Sequence, residues 1–399
     1  MTPARIVAGV WVIVAVANGL FFSFSIFFVP LVEEFRWSRA LTAGALSLST
    51  LVQGLLAPLV GIVVDRVGPR SVILGGVALL GVASILASTI ASPLHLYLYT
   101  GLLGALGFVG VGSVPMGVLL SRWIDRRRGR MVGIAFSGMG VGIFVIGPLA
   151  QWLISTLGWR PASAILGVAV LVVVLPFAWF VAHDSPPPAR PHATDTPGGA
   201  KKAPSDASLR QALATRAFWA LFGAYLLTPL AVFPIFVHQV AFAVDLGFPR
   251  LLVAWIFGFV GLMSSLGRVG FGVIVDRFGG PPAAILSFAC TAGGAFALLA
   301  LEVWPHDGWL YAYALLFGLG FGARGPIITI MASELFGGRR FGLIWGILNL
   351  ANGIGGAVGP WFGGAVHDVT GSYRVAFLSS VGFSTLGAWC FWLARRREA

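Results

Sequence analysis

Twelve apolar runs, each long enough to cross a bilayer as a helix, decide what this 399-residue chain can become. A hydrocarbon layer about 30 Å thick takes roughly 20 helical residues. Inside it every backbone N–H and C=O must be satisfied within the protein. The runs cover about 6–32, 40–64, 71–91, 94–121, 131–157, 161–182, 217–241, 250–275, 283–303, 309–333, 341–366 and 374–394. Short polar clusters separate them. Only 10% of the residues are charged, where a soluble domain carries about a quarter. A transmembrane barrel needs short alternating segments, which these continuous runs are not. The expected fold class is an all-α integral membrane protein with twelve transmembrane helices. The 54 glycines suit helices that approach closely without a hydrophobic drive. Cys290 and Cys390 both fall inside apolar runs, so no disulfide framework is implied. The first run is too long for a signal-peptide core and reads as a retained helix.

The net charge of +12 raises the question of nucleic acid, but its placement answers it. Nineteen of the 26 Lys and Arg fall on one alternate set of loops and termini, including Arg66, Arg70, Arg122, Arg126, Arg127, Arg128 and Arg130. Arg36, Arg39, Arg160, Arg250 and Arg374 make up the opposite set. The positive-inside rule then places both termini and the long middle loop in the cytoplasm. The charge is topological, and no nucleic-acid partner is expected.

Two basic residues are left over. Arg268 lies eight residues above Asp276 in GLMSSLGRVGFGVIVDRFGG (261–280), about 12 Å along a helix axis. Arg324 lies ten residues before Glu334, about 15 Å in. None of the fourteen acidic residues is comparably deep. A membrane-embedded arginine costs at least about 2.5–3.5 kcal/mol, so it should face a cavity and hold something negative.

The chain repeats. GIVVDRVGPR (61–70) returns as GVIVDRFGGP (272–281) at an offset of 211. Residues 183–208, rich in Pro, Ala and small polar side chains, read as a flexible linker. The expected domains are an N-terminal six-helix half (1–182), a cytoplasmic linker (183–216) and a C-terminal six-helix half (217–399). Two such halves are a transporter architecture.

On Gly61, Asp65, Arg66, Gly68 and Arg70, and on their copies Gly272, Asp276, Arg277 and Gly279, the sequence resembles the major facilitator superfamily over essentially its whole length. The resemblance implies that these residues form a conformational latch on the cytoplasmic face. Within the superfamily, FFVPLVEEFRWSRA (27–40), the stretch 122–160 and ELFGGRRFG with DVTGSYRVAF (334–377) are similar to the monocarboxylate transporter and oxalate/formate antiporter group, especially its bacterial members. That likeness makes Arg268 the carboxylate anchor. The sequence departs from the group in having Ser264 one turn before it, where animal carriers have Asp. Val29 stands where many relatives have Lys, and no lysine occurs between Phe341 and Val366.

Each candidate has two readings. Arg268 either binds an anion, its planar fork matching a carboxylate, or donates to helix carbonyls. Arg324 either adds a second positive charge to the cavity or binds carbonyls freed where its glycine-rich helix bends. His238 carries a coupling proton or is an interfacial histidine. Asn18, Gln53, Tyr225, Ser264, Asn349 and Asn352 line the path implied by the resemblance, or bond between helices. Phe21, Phe24 and Phe28 share a face at i, i+3, i+7 and wall a hydrocarbon tail, or pack the core. GGAVGPWFGG (355–364) and GIFVIGPLAQ read as bend-and-pack elements.

No Walker-type GxxxxGK[ST], metal spacing or nucleophile–base set occurs, which leaves enzymatic chemistry, cofactors and ATP drive unsupported. The expectation is a monomeric secondary transporter of a small organic anion, most simply a proton-coupled monocarboxylate carrier working by alternating access. The alternative of the same architecture is a drug or metabolite:proton antiporter, which commonly needs an embedded acid; a non-transporting receptor is the third class.

Overall fold

The computed structural model describes residues 3–123, 128–182, 209–336 and 341–394. The linker expected at 183–208 lies outside them. Among the described residues twelve helical spans follow one another. We number them α1 (Pro3–Phe22, resumed as Phe24–Phe35), α2 (Arg39–Val67), α3 (Pro69–Ala87) and α4 (Pro93–Leu96 through Ser113–Trp123). Next come α5 (Arg128–Leu157), α6 (Trp159–Ala169 through Leu175–Val181), α7 (Arg216–Asp245) and α8 (Arg250–Phe278). The last four are α9 (Gly280–Val303), α10 (Asp307–Phe336), α11 (Phe341–Thr370) and α12 (Arg374–Leu393). Eleven are long and apolar enough by themselves to cross a membrane. The twelfth, α11, packs along α2 and α7.

Boundaries follow local chemistry. Ser38, Ser92 and Thr215 are N-caps whose side chains accept from Leu41, His95 and Phe218 N–H. The repeated motif explains itself at Gly68 and Gly279, with φ +83° and +85°. Each ends one helix and caps the next, in a conformation that costs a side chain dearly. Three runs that read as uninterrupted are not. Ser23 breaks α1, a turn at Val111–Gly112 breaks α4, and π-helical turns occupy Tyr97–Leu103 and Val170–Val174.

The two six-helix halves meet along two seams, α2 against α11 and α5 against α8. Both are backbone-to-backbone. A Cβ on Gly140 of α5 would stand 2.0 Å from Gly261 O of α8, and one on Gly54 of α2 would stand 3.0 Å from Gly353 Cα of α11. Small residues let helices meet this closely where lipid supplies no alternative drive.

At the face opposite the termini, polar groups join the halves. Arg39 ion-pairs with Asp245 at 2.7 Å and donates to Tyr373 Oη at 2.6 Å. The backbone N–H groups of Arg39 and Ala40 donate to the two oxygens of Asp368 at 2.9 and 2.8 Å. Arg250 pairs with Glu33 at 2.6 Å, and deeper in the span Ser25 donates to Phe236 O at 3.1 Å. At the termini-bearing face, Asp65 and Asp276 are exposed, with no hydrogen bond or ion pair among the described residues. The conformation is one closed at the far face.

Candidate functional site

Arg268 projects from α8 at the α5 seam, about 15 Å from the termini-side end of its helix. It is half-buried. Its Nε donates to Gly322 O of α10 at 3.2 Å, Nη1 to Phe136 O of α5 at 2.9 Å, and Nη2 to Met139 Sδ at 2.8 Å. One turn away Ser265 Oγ donates to Ser137 O at 2.7 Å. All three acceptors of the guanidinium are neutral, and three of its five N–H groups are spent on them. Among the described residues no carboxylate neutralises it, and it is not turned to lipid. Two N–H groups and a full positive charge remain.

Tyr225 of α7 and Asn349 of α11 lie at a similar depth and are brought together, Tyr225 Oη donating to Asn349 Oδ1 at 3.3 Å. Trp345 lies against the tyrosine ring, 5.7 Å between centroids. Asn349 Nδ2 donates back to Trp345 O. Asn352, one turn on, is half-buried. Asn18 is buried in α1, its Nδ2 spent on Val14 O and its Oδ1 without a partner. Gln53 donates to Ser49 within its own helix.

Other expectations need correction. Ser264 is fully buried where α8 meets α10, its hydroxyl donating to Gly261 O. Gly322 of α10 presses on its backbone, so it does not line a path between the halves. Arg324 points away from the partner half, into α9. Nη2 donates to Thr291 Oγ1 at 2.5 Å, Nε to Gly320 O at 3.3 Å, and the guanidinium lies 4.5 Å from the Phe288 ring centroid. That geometry favours its structural role.

The phenylalanine face continues across the Ser23 turn: Phe21 and Phe24 line one cavity, and Phe24 lies 6.3 Å from Phe28 between ring centroids. Phe21 stacks on Phe108 of α4 at 4.3 Å. Phe24 lines a cavity of about 90 Å³ within the N-terminal half, together with Phe21, Phe27, Tyr99, Trp159 and Leu166. Phe28 packs edge-on against His238 at 5.1 Å. Of the latch arginines, Arg70 donates to Trp179 O and covers its ring, and Arg277 lies over Phe278.

His238 is fully buried, but near the far face rather than beside Arg268. Seven residues, about 10 Å, separate it from the end of α7, whereas Arg268 is 18 residues, about 27 Å, from the corresponding end of α8. Its Nε2 lies 2.9 Å from Pro360 O and its Nδ1 3.2 Å from Tyr373 Oη. Tyr373 and its bond to Arg39 were not marked by the sequence. Their one signal was that the far-face arginines sit among acids, Glu33, Glu34, Asp245 and Asp368, in neighbouring loops.

The profile of the Major Facilitator Superfamily matches residues 11–332 and, overlapping, 239–399. Monocarboxylate transporter 13 of Bos taurus is 30% identical over 376 residues, 94% of this chain and 85% of that protein. Monocarboxylate transporter 12 of Homo sapiens is 27% identical, covering 96% and 78%. Among solved structures, the nucleoside transporter NupG (D323A mutant) superposes with a TM-score of 0.76 at 13% identity, covering 98% of this chain and 100% of that one. A bacterial homologue of the human lysosomal transporter Spinster, inward-facing and occupied, gives 0.75 at 15% identity, covering 99% of both.

Proposed function

The chain belongs to the major facilitator superfamily, and from that premise we propose that this transporter carries a small organic anion, a monocarboxylate, with Arg268 as its anchor. As a member of a transporter family it moves solutes and is not an enzyme. The observation carrying the cargo assignment is the guanidinium itself: embedded in the span, bonded to two carbonyls and a thioether, and without a counter-ion among the described residues. A carboxylate entering between the halves offers Nη1 and Nη2 a charged, two-pronged acceptor in place of Phe136 O and Met139 Sδ. Cargo and cross-half bonds therefore compete for one side chain. Tyr225, Asn349 and Asn352 supply the polar wall on the α7/α11 side.

The termini and the linker face the cytoplasm on this reading, because nineteen basic residues gather there. The conformation is then closed to the outside. His238, on the outer side, is the proton site.

Purified protein screened by thermal shift should be stabilised by short monocarboxylates, since a ligand of the native state raises its melting point. In liposomes, uptake of the stabilising compound should rise with an inward proton gradient and fall at least about a hundredfold in Arg268→Ala. Full uptake by an Arg268→Ala protein of unchanged melting temperature rejects the anchor.

A further inference from the structure

We infer that Tyr373 is a positioning residue that lets the far-face gate close only while His238 is neutral. The inference rests on the reading of His238 as the proton site and adds what its proton controls.

The hydrogens along this chain of contacts can be assigned. Pro360 O is only an acceptor, so the hydrogen of the neutral His238 ring sits on Nε2, 2.9 Å away. Nδ1 is then a lone pair, and Tyr373 donates its hydroxyl hydrogen to it across 3.2 Å. The phenol oxygen meanwhile accepts from Arg39 Nη1 at 2.6 Å. Arg39 belongs to α2 of one half, and Tyr373, Asp245 and Asp368 to the other. Burial pushes the Tyr373 phenol well above its ordinary value, so its hydrogen stays in place. Arg39, Tyr373 and His238 thus form one directional run of donors ending on Nδ1.

Protonating His238 reverses the last link. Nδ1 becomes a donor aimed at the phenol oxygen, which already accepts from Arg39. The tyrosine hydrogen loses its acceptor, and an imidazolium and a guanidinium converge on one oxygen. Separating Arg39 from Tyr373 relieves both faults, and that separation opens the gate. The groups around His238 are Phe28 from α1, Arg39 from α2, His367 and Asp368 from α11, and Tyr373 before α12; Asp245, on its own helix, is paired with Arg39. The acids already hold Arg39: Asp245 through its guanidinium, Asp368 through its backbone. His367 lies against the tyrosine ring, 4.5 Å between centroids, with a buried and unpartnered Nδ1. It is the competing sensor.

Spin labels at Leu157→Cys and Val303→Cys, exposed far-face positions in opposite halves, report gate opening in nanodiscs. Cys290 and Cys390 are replaced by Ala in that protein. Without any cargo, lowering the pH from 7.5 to 5.5 should raise the long-distance population at least fivefold. His238→Gln, which still donates to Pro360 O and accepts from Tyr373, should hold the gate closed at both pH values. Tyr373→Phe should abolish the pH response, and His367→Gln should preserve it. A pH-independent wild type, a full response in Tyr373→Phe, or loss in His367→Gln with retention in His238→Gln overturns the inference. Because no cargo is present, the outcome is separate from the Arg268 assignment, which liposome uptake tests.

Discussion

Replacing Asp368 with Ala should tip the carrier toward the state open at the far face. Asp368, on α11, accepts the first two N–H groups of α2 across the halves, Arg39 to Oδ1 at 2.9 Å and Ala40 to Oδ2 at 2.8 Å. These donors have no partner within α2, and a negative charge at a helix N-terminus is favourable in itself. Hydrogen bonds to charged groups contribute about 1.5–3 kcal/mol when shielded. Asp368 is exposed, so about 1 kcal/mol each is the working figure after water competes for both partners. Opening the gate breaks both bonds at once, so the closed state loses about 2 kcal/mol relative to the open one, roughly a thirtyfold shift. The Arg39–Asp245 pair and the Arg39–Tyr373 bond remain, so the gate weakens without being abolished. The Leu157/Val303 spin pair at pH 7.5 reads the shift directly. An unchanged distance distribution refutes the idea that the contact between Asp368 and α2 holds the gate.

Further expectations follow from the same geometry. Arg324→Met should transport normally with an unchanged or raised melting temperature, because it removes a buried charge whose Nη1 lacks a partner; lost uptake in a stable protein returns Arg324 to the cargo path. Gly140→Ala should wedge the α5/α8 seam, its Cβ falling 2.0 Å from Gly261 O, at a cost of about 1–3 kcal/mol to the closed state, read as a lengthened spin-pair distance. Ser264→Ala should leave cargo affinity within about twofold in a thermal-shift titration, since its hydroxyl serves only Gly261 O. Ser163→Trp, which fills the apolar cavity of the N-terminal half, should leave transport rates within about threefold, because that cavity lies inside one half and not between the two.

The architecture was legible because membrane insertion imposes its own arithmetic: run length, charge asymmetry and the 211-residue echo each report it independently. Arg268 was legible for the same reason, as a charge no bilayer tolerates without cause. Its partners were not. Phe136 O and Gly322 O are backbone atoms and carry no sequence signature. Arg39 looked like ordinary loop charge, and only the fold shows it gripping Asp245 and Tyr373, over 200 and 300 residues away. Ser264 and Arg324 stayed open between two readings for a related reason. Spacing places a residue on a helix, but one step around the axis decides whether it meets the other half or a neighbour in its own. The Ser23 turn likewise left no mark in the pattern, because its backbone stays close to helical and Phe21 and Phe24 still line one cavity across it.

The glycine seams bear on speed. Where Gly140 meets Gly261 and Gly54 meets Gly353, backbone rests on backbone, so at those two points one half can roll over the other with little side-chain bulk to clear. Friction along the bearing surfaces is then slight. The slow step of each cycle falls on snapping the handful of charged and phenolic contacts at the rim, and turnover should steepen with temperature as breaking such bonds demands.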